Sequence, residues 1–323
     1  MKAIVFQRYG GPEVLEWAEI EKPVPAAGEL LIRVRVAAAN PLDWHVMRGM
    51  PYGFRLGMGL RRPKDARLGM DFAGEVEAVG AEAQRFGPGD AVFGARRGAF
   101  AEFVCAPEAA LARKPETVTF EEAASAPVAG VTALQALRDV GGLQSGQRVL
   151  INGASGGVGT FAVQIAKWMG AGVTGVCSAR NVEMVRVLGA DYVVDYTRED
   201  FTKSGKRYDV MLDCIGNHSL AACRTALTPR GTYVMIGGGK GRWVSPMDRV
   251  MRARMLSMFV GQKMTWMMAK ANAEDLGLIG ELMASGTVQA VIDRRFPMEE
   301  AAEAMRYLET GHARGKIVLV AGS

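Results

Sequence analysis

Short alternating or apolar runs, broken by glycine and proline, fill residues 1 to about 120. Representative runs are Leu30–Val36, Gly74–Val79 and Ala91–Phe93. Residues of alternating polarity suit half-buried strands, and the glycines and prolines between them are typical of turns. This part of the chain is therefore predicted to be a β-rich domain.

After Phe120 the pattern changes to a regular alternation of strands and helices. The predicted strands are Val149–Asn152, Val173–Cys177, Val193–Asp195, Val210–Asp213 and Tyr233–Ile236. Helices are predicted after the first, second and fourth, and the clearest runs over Val158–Met169, with apolar residues at steps of three and four. Such alternation indicates βαβ units, so the expected fold class is α/β, a Rossmann doubly wound parallel sheet with a separate β-rich domain.

Further elements follow from about residue 261. They are a helix over Glu274–Met283, a strand over Val288–Asp293, a helix over Glu299–Leu308 and a final strand over Lys316–Val320. The final strand can return to the N-terminal β-rich domain and make it discontinuous, which the pattern alone leaves open.

Composition narrows the class of protein. The chain has 323 residues, 49% hydrophobic and 23% charged, which excludes a disordered or fibrous protein and suggests about two domains. The net charge of +5 is spread along the chain without an aromatic-interleaved basic patch, so no nucleic-acid partner is expected. Four widely spaced cysteines form no CxxC pair, and no signal peptide or membrane-spanning run is evident. We expect a cytoplasmic protein.

A glycine-rich stretch lies directly between the first predicted strand of the second region and its amphipathic helix. Its residues are Gly153, Ala154, Ser155, Gly156, Gly157, Val158 and Gly159. Glycines here permit a tight turn and let backbone N–H groups at the helix N-terminus approach a pyrophosphate. The stretch predicts a dinucleotide site, the alternative being a turn needed only for packing.

The end of the next strand indicates which dinucleotide is bound. An NAD site carries Asp or Glu there for the ribose 2′-OH, but this strand continues into Cys177, Ser178, Ala179 and Arg180. A hydroxyl and a guanidinium suit a 2′-phosphate, so NADPH is the expected cofactor. Alternatively, Arg180 is a solvated residue before a helix capped by Asn181.

Other strand ends supply further candidate cofactor contacts, because ligands bind beyond the carboxyl ends of parallel strands. Tyr196 can lie against the adenosine half or be an edge-of-core tyrosine. Ile215, Gly237 and Gly238 point to the nicotinamide half.

Several motifs in order resemble the medium-chain dehydrogenase/reductase superfamily, in its zinc-free quinone oxidoreductase branch. The likeness covers nearly the whole chain and is carried by Asn40–Asp43, Gly69–Gly74, Gly130–Leu134, Gly153–Gln164 and Gly311–Lys316. Among members of the branch, reticulon-interacting reductases and their bacterial relatives are similar in the last two blocks.

The resemblance implies a discontinuous GroES-like catalytic domain at residues 1–121 and 262–323, a Rossmann domain at 122–261, and cofactor in the cleft between them. It also implies a homodimer joined through edge strands near Leu256–Val260. Positions that contact NADPH in such relatives match Thr132, Ser155, Gly157, Val158, Ser178, Tyr196, Ile215 and Lys316. Gly315, which directly precedes Lys316 in the same motif, is a further candidate cofactor contact.

Departures from the zinc-dependent members concern the metal. Those proteins carry an early cysteine, and Gly-His-Glu where this chain has Gly69-Met70-Asp71, so no metal is expected. Without zinc to polarise a carbonyl, hydride transfer suits acceptors that delocalise the resulting charge, such as a quinone or the C=C of an α,β-unsaturated carbonyl. The cofactor supplies the hydride, and the protein orients it and excludes water.

Two side chains are candidates for catalysis. Asn40 can hold the nicotinamide ribose or the substrate oxygen, or simply form a turn before Pro41, and Asp43 can be a helix cap. Tyr52 is the candidate proton donor, with solvent as the alternative.

A basic loop with Arg61, Arg62, Lys64 and Arg67 can bind an anionic substrate group or be merely solvated, so an enoyl-thioester reductase is an alternative function. A non-catalytic NADPH-binding interaction protein is a further alternative.

Overall fold

The computed structural model describes residues 1–237 and 247–322, and the side chains of residues 247 and 248 are left undescribed. The chain divides into two compact units. The first comprises Met1–Val131 and Ala271–Ser323, and the second comprises Thr132–Lys270. Gly238, predicted to contact the cofactor, lies outside the described residues.

The described residues form fifteen strands and ten α-helices. The strands are β1 (Lys2–Val5), β2 (Glu16–Glu19), β3 (Glu29–Ala39), β4 (Asp71–Val79), β5 (Ala91–Ala95), β6 (Phe103–Pro107), β7 (Leu111–Arg113), β8 (Arg148–Asn152), β9 (Gly172–Cys177), β10 (Tyr192–Asp195), β11 (Tyr208–Asp213), β12 (Leu227–Met235), β13 (Lys263–Trp266), β14 (Ile292–Pro297) and β15 (Lys316–Val320). The helices are α1 (Pro41–Arg48), α2 (Arg55–Met58), α3 (Phe120–Ser125), α4 (Pro127–Gln135), α5 (Gly157–Trp168), α6 (Val182–Val187), α7 (Leu220–Thr225), α8 (Met247–Ser257), α9 (Ala273–Ala284) and α10 (Ala301–Glu309).

The first unit is built on a seven-stranded sheet in the order β14-β15-β3-β4-β5-β7, with β6 also paired to β3. Strand β3 lies in the middle of this sheet, between β15 and β4. Its apolar residues are buried, and Arg33 and Arg35 are exposed. Strand β15 pairs antiparallel with the end of β3, Ile317 opposite Ala39. The last strand of the chain therefore completes the N-terminal β-rich unit, and the expected discontinuous fold is confirmed.

The second unit is a six-stranded sheet in the order β10-β9-β8-β11-β12-β13, and every neighbouring pair in it is parallel. Numbered within the unit, this is the Rossmann order 3-2-1-4-5-6, with the order reversing between β8 and β11. Central residues of these strands, such as Leu150 and Leu212, are fully buried, as expected when helices cover both faces. The predicted fold class is confirmed.

Two local expectations are wrong. The strand predicted over Val288–Asp293 begins at Ile292, because its pairing partner β15 sets the register, with Ile292 opposite Lys316 and Pro297 opposite Val320. The edge strand inferred near Leu256–Val260 is instead the end of α8 and a turn, and the edge strand on this side of the parallel sheet is β13.

Candidate functional site

The glycine turn, Gly153–Gly159, connects β8 to α5 through close backbone contacts. Gly153 has a φ of +89°, a left-handed conformation that favours glycine. A Cβ on Gly159 would come within 2.1 Å of the Gly153 carbonyl oxygen, so the turn and the helix can approach each other only without a side chain there. These two positions explain why the sequence needs glycine at both ends of the turn.

The N-terminus of α5 is suited to an anionic ligand. Gly156 is the helix N-cap, no side chain caps it, and the first turn of the helix contains no acidic residue. The first N–H groups of a helix have no partner within the helix, and the helix dipole favours negative charge at this end. A Cβ on Gly156 would have only the Gly153 oxygen near it, at 3.5 Å, so the space above the turn is open. The turn therefore fits a dinucleotide pyrophosphate.

The end of β9 is tied to the glycine turn by one buried side chain. The Asn181 Nδ2 donates to Ser155 Oγ at 3.0 Å and to Ser178 Oγ at 3.3 Å. Arg180 is exposed beside them. Burial, followed by the charge of Asp195, raises the pKa of Cys177 to about 11, so its thiol adds no negative charge. The strand end presents hydroxyls and a guanidinium, and it carries no acidic residue.

Asp213, at the end of β11, organises the loop that follows it. Its Oδ1 accepts hydrogen bonds from the backbone N–H groups of Ile215 and Gly216 and from Asn152 Nδ2, and its Oδ2 accepts from the Tyr233 hydroxyl. Arg249 Nη2 of α8 lies 3.6 Å from the same Oδ2. The ends of β8, β11 and β12 are thus joined below the predicted nicotinamide-side loop.

The sequence prediction did not include Asp213, Asn152 or Tyr233. One signal in the sequence is that Asn152 and Asp213 are polar residues ending two otherwise apolar strands. Such residues sit at the carboxyl edge of a parallel sheet, where ligands bind.

In the first unit, a buried polar cluster is formed by Asn40, Asp43, Asp71 and Lys316. The Lys316 Nζ donates to Asn40 Oδ1 at 2.6 Å and to Asp71 Oδ2 at 3.1 Å. The Asn40 Nδ2 donates to the same Asp71 oxygen at 2.9 Å, and the backbone N–H of Asn40 donates to Asp43 Oδ2 at 2.8 Å. Asn40 is the N-cap of α1, Asp71 begins β4 and Lys316 begins β15, so pairing of the sheet strands brings the cluster together.

Burial dominates the electrostatics of this cluster. Lys316 is 3% exposed and Asp71 0%. Burial raises the pKa of Asp71, although Lys316 and Asn40 oppose it. Burial also raises the pKa of Asp43 to about 7, with the Asn40 N–H opposing the shift and the charge of Asp71 adding to it. The cluster therefore holds one ammonium group and two carboxyl groups that take up protons more readily than solvated ones.

Comparison with known proteins gives the family. Two family models match, the alcohol dehydrogenase GroES-like domain over residues 26–116 and the zinc-binding dehydrogenase family over residues 188–319. The chain is 33% identical to the chloroplast envelope quinone oxidoreductase homolog of Arabidopsis thaliana, over 99% of this chain and 98% of that protein. It is 35% identical to the mitochondrial NAD(P)H oxidoreductase RTN4IP1 of Mus musculus, over 99% and 89%.

Among solved structures, the quinone oxidoreductase from Coxiella burnetii matches with a TM-score of 0.88 and 31% identity, over 99% of each chain. The chain belongs to the quinone oxidoreductase branch of the medium-chain dehydrogenase/reductase superfamily. It is accordingly an oxidoreductase that uses a nicotinamide cofactor, and the non-catalytic alternative is not retained.

Asp71 lies in the segment where zinc-dependent members of the superfamily carry their metal ligands, and here its oxygens are already bonded. Its Oδ1 accepts from the backbone N–H of Val128, and its Oδ2 accepts from Asn40 and Lys316. Within residues 1–237 and 247–322, no three His, Cys, Asp or Glu side chains are arranged to hold a metal ion.

The predicted catalytic residues lie in different surroundings within the first unit. Asn40 is fixed in the polar cluster by bonds at both ends of its amide. Tyr52 begins a short 3₁₀ helix, and the Arg55 guanidinium stands 4.7 Å from its ring centroid and 4.4 Å from that of Tyr9. Neither residue's catalytic role is tested by this geometry, and both remain predictions.

The remaining predicted cofactor contacts differ in accessibility. In the second unit, Tyr196 is 54% exposed, which is unlike an edge-of-core tyrosine, and Ile215 is 49% exposed. Thr132 is buried in α4, and the Gly237 N–H donates to the Asp213 carbonyl oxygen.

In the first unit, Gly315 has a φ of +80°, and a Cβ there would come within 2.2 Å of the Val291 carbonyl oxygen. This close approach gives the residue a structural reason to be glycine. Lys316, which follows it, is occupied by the polar cluster.

Proposed function

We propose that this protein is an NADPH-dependent, metal-independent reductase that transfers hydride to a quinone or to the C=C of an α,β-unsaturated carbonyl. The observation that carries the coenzyme choice is the end of β9, where Ser178 and Arg180 stand in place of an acid. A carboxylate there would accept from a ribose 2′-OH and repel a 2′-phosphate. A guanidinium and a hydroxyl donate to phosphate oxygens instead.

The chain's own residues contribute binding and orientation. NADPH supplies the hydride when bound. The N-terminus of α5 and the glycine turn would hold its pyrophosphate, and the loop shaped by Asp213 would support the nicotinamide half. In this proposal Tyr52 or solvent supplies the proton that completes reduction of the acceptor.

Metal independence is proposed because the bonds of Asp71 are satisfied by this chain. A carboxylate that already accepts from Val128, Asn40 and Lys316 would have to lose those bonds to ligate a cation. Conjugated acceptors need less polarisation than simple carbonyls, because the charge that follows hydride transfer is delocalised. Quinones and enones are therefore the favoured substrate class.

The test is a panel of acceptors assayed with the purified protein by the loss of reduced-nicotinamide absorbance. A naphthoquinone, an alkyl enone, crotonyl-CoA and a simple aldehyde are each assayed with NADPH, with and without chelator. We expect chelator-insensitive turnover of the quinone or enone and none of the aldehyde. Turnover confined to the aldehyde, or abolished by chelator, would overturn the proposal.

A second candidate, an enoyl-thioester reductase acting on acyl-CoA or acyl carrier protein substrates, is favoured by one cavity. A cavity of about 500 Å³ in the first unit is lined by Gln7 and residues of the basic loop, including Arg61, Arg62 and Lys64. In the part of the chain that the structure describes, these three cationic groups have no hydrogen-bond or ion-pair partner. Arg67, the fourth basic residue of the loop, is paired with Asp65.

Unpaired cations around a cavity attract phosphate groups such as those of coenzyme A. If the second candidate is correct, Arg61→Glu with Arg62→Glu raises KM for crotonyl-CoA at least about 10-fold and leaves KM for a free enone unchanged. Equal effects on both substrates would remove this candidate.

The location and the assembly are part of the proposal. No helix among the described residues is long and apolar enough to cross a bilayer. The relatives' names refer to chloroplasts and mitochondria, and the cytoplasmic location expected from this sequence stays a prediction. The homodimer is likewise proposed.

A further inference from the structure

We propose that Asn181 is a positioning residue that orients the hydroxyl groups of Ser155 and Ser178 toward the 2′-phosphate and so sets the preference for NADPH over NADH. The inference rests on the proposed function, because it assumes that a 2′-phosphate is bound at the end of β9. It concerns a residue that the sequence suggested only as a helix cap.

Asn181 does not act as that cap. It precedes α6, but its side chain makes no capping hydrogen bond to the helix. Instead its Nδ2 bridges Ser155 of the glycine turn and Ser178 at the end of β9, residues 26 and 3 positions away. The residue is 4% exposed, so this bridge is a buried feature of the second unit.

The direction of these hydrogen bonds determines what the two hydroxyls can do. A serine hydroxyl has one proton and two lone pairs. Because Asn181 donates to both oxygens, neither hydroxyl needs its own proton for this bridge, and each can donate that proton to a ligand. Both hydroxyl oxygens accept from the same nitrogen, so the two hydroxyl protons lie close together and are free to donate to one ligand group. Two adjacent donors suit a phosphate group, which offers several acceptor oxygens.

This orientation of the amide has a cost at its other end. Asn181 Oδ1 is buried and has no hydrogen-bond partner among the described residues. An unpartnered buried carbonyl oxygen is unfavourable, and one in a native structure calls for an explanation. The opposite amide orientation would let the oxygen accept the serine protons, but those hydroxyls would then face the ligand as acceptors and repel a phosphate. We attribute the unpaired oxygen to a site that keeps both hydroxyls as donors.

The test compares Asn181→Asp with the wild-type protein. A carboxylate only accepts hydrogen bonds, so both hydroxyl protons turn inward and a negative charge lies beside the phosphate site. We expect the Kd for NADPH to rise about 10- to 150-fold, the range of a lost charged hydrogen bond, with a smaller change for NADH. Binding is followed by fluorescence titration, so the readout does not depend on turnover.

Two smaller ligands separate the 2′-phosphate from the pyrophosphate. Adenosine 2′,5′-bisphosphate carries the 2′-phosphate and 5′-AMP does not, while both lack the pyrophosphate. The variant should lose affinity for the bisphosphate in parallel with NADPH and keep its affinity for 5′-AMP. Gln147→Glu is the control, because it makes the same amide-to-carboxylate change in the second unit, directly before β8, and its side-chain oxygen can still accept from the Gln144 N–H.

A double-mutant cycle distinguishes positioning from general disruption. When Ser155 and Ser178 are both replaced by alanine, Asn181→Leu should have no further effect on the ratio of NADPH to NADH affinity. A further loss of that ratio, or an equal loss of NADPH and NADH affinity in the Asn181→Asp variant, would overturn the proposal. If the wild-type protein itself binds NADH as tightly as NADPH, the proposed coenzyme fails first, and that result is seen before any variant is made.

Discussion

The ammonium group of Lys316 has no solvent to stabilise it, so its bonds to Asn40 and Asp71 replace hydration. Removing one partner of a buried ion pair leaves the other charge uncompensated. We expect Lys316→Met to lower the free energy of unfolding by about 3–5 kcal/mol, measured by denaturant titration.

Lys203→Met is the matched control for this prediction. Lys203 pairs with Asp200 at 3.4 Å, but its side chain is 83% exposed. An exposed pair contributes about 0–1 kcal/mol, so this variant should unfold almost as the wild-type protein does. Equal losses in the two variants would contradict the account of the polar cluster.

Asp43 gives the polar cluster a pH dependence. Burial raises its pKa to about 7, whereas an aspartate in an unfolded chain titrates near about 3.9. The folded state therefore binds this proton more tightly than the unfolded chain. The stability that the proton contributes is fully present below about pH 4 and is lost as the pH rises through about 7.

Asp43→Asn removes this titration and keeps an oxygen that can accept from the Asn40 N–H. Relative to the wild-type protein, the variant should gain unfolding free energy as the pH rises from about 4 to about 7, and the difference should then level off. Asp71 and Lys316, the other charged members of the cluster, remain in both proteins. Denaturant titrations across this range check the prediction, and a difference that is independent of pH would contradict it.

For single residues, the sequence predicts those features that depend on the spacing of neighbouring residues. The absence of an acid after β9 and the glycine spacing are visible in consecutive residues. The bridge from Asn181 to Ser155 and the bond from Tyr233 to Asp213 join residues 26 and 20 positions apart, and no local pattern specifies them. The same holds for Lys316 and Asn40, which become neighbours only when β15 returns to β3.

The glycine turn allows binding and folding to be separated within one element. A side chain at Gly156 enters open space above the N-terminus of α5, whereas one at Gly159 meets backbone atoms of Gly153 and Ala154 within 3 Å. We expect Gly156→Val to fold normally and lose cofactor binding. Gly159→Ala should lower stability by about 1–3 kcal/mol, as overpacking does.

Thermal unfolding and cofactor titration of both variants measure the two effects separately. Wild-type NADPH affinity in Gly156→Val would contradict this prediction, and so would a lower unfolding temperature for Gly156→Val than for Gly159→Ala.

The elements that the sequence predicts best are those with strong patterns of their own. Helix α5 and strands β8, β9 and β11 lie within a residue or two of the predicted ranges. Strand β14 does not, because its apolar residues allow more than one start and β15 selects the register. The periodicity of the sequence predicted that a strand forms here, but where the strand begins depends on its pairing with β15.

At the scale of the whole molecule, the exposed apolar residues near β13 indicate where a second copy would bind. Met258 is 70% exposed, Phe259 80% and Met268 66%, and in sequence all three flank β13, one of the two edge strands of the parallel sheet. Exposed apolar patches mark association surfaces. We expect a homodimer in solution, and we expect Met258→Lys with Phe259→Lys to convert it to a monomer of unchanged secondary structure.

Light scattering with size-exclusion chromatography measures the mass of both proteins. A wild-type protein that is monomeric, or a double variant that stays dimeric, would contradict this assignment of the surface.

We propose that the Rossmann unit selects NADPH for metal-independent reduction of a conjugated acceptor. The most direct test is the ratio of kcat/KM for NADPH to that for NADH, with a naphthoquinone as acceptor and a chelator present. We expect a ratio of at least about 10, the contribution of one charged phosphate contact, with or without chelator. A ratio near one, or turnover that disappears with chelator, would contradict it.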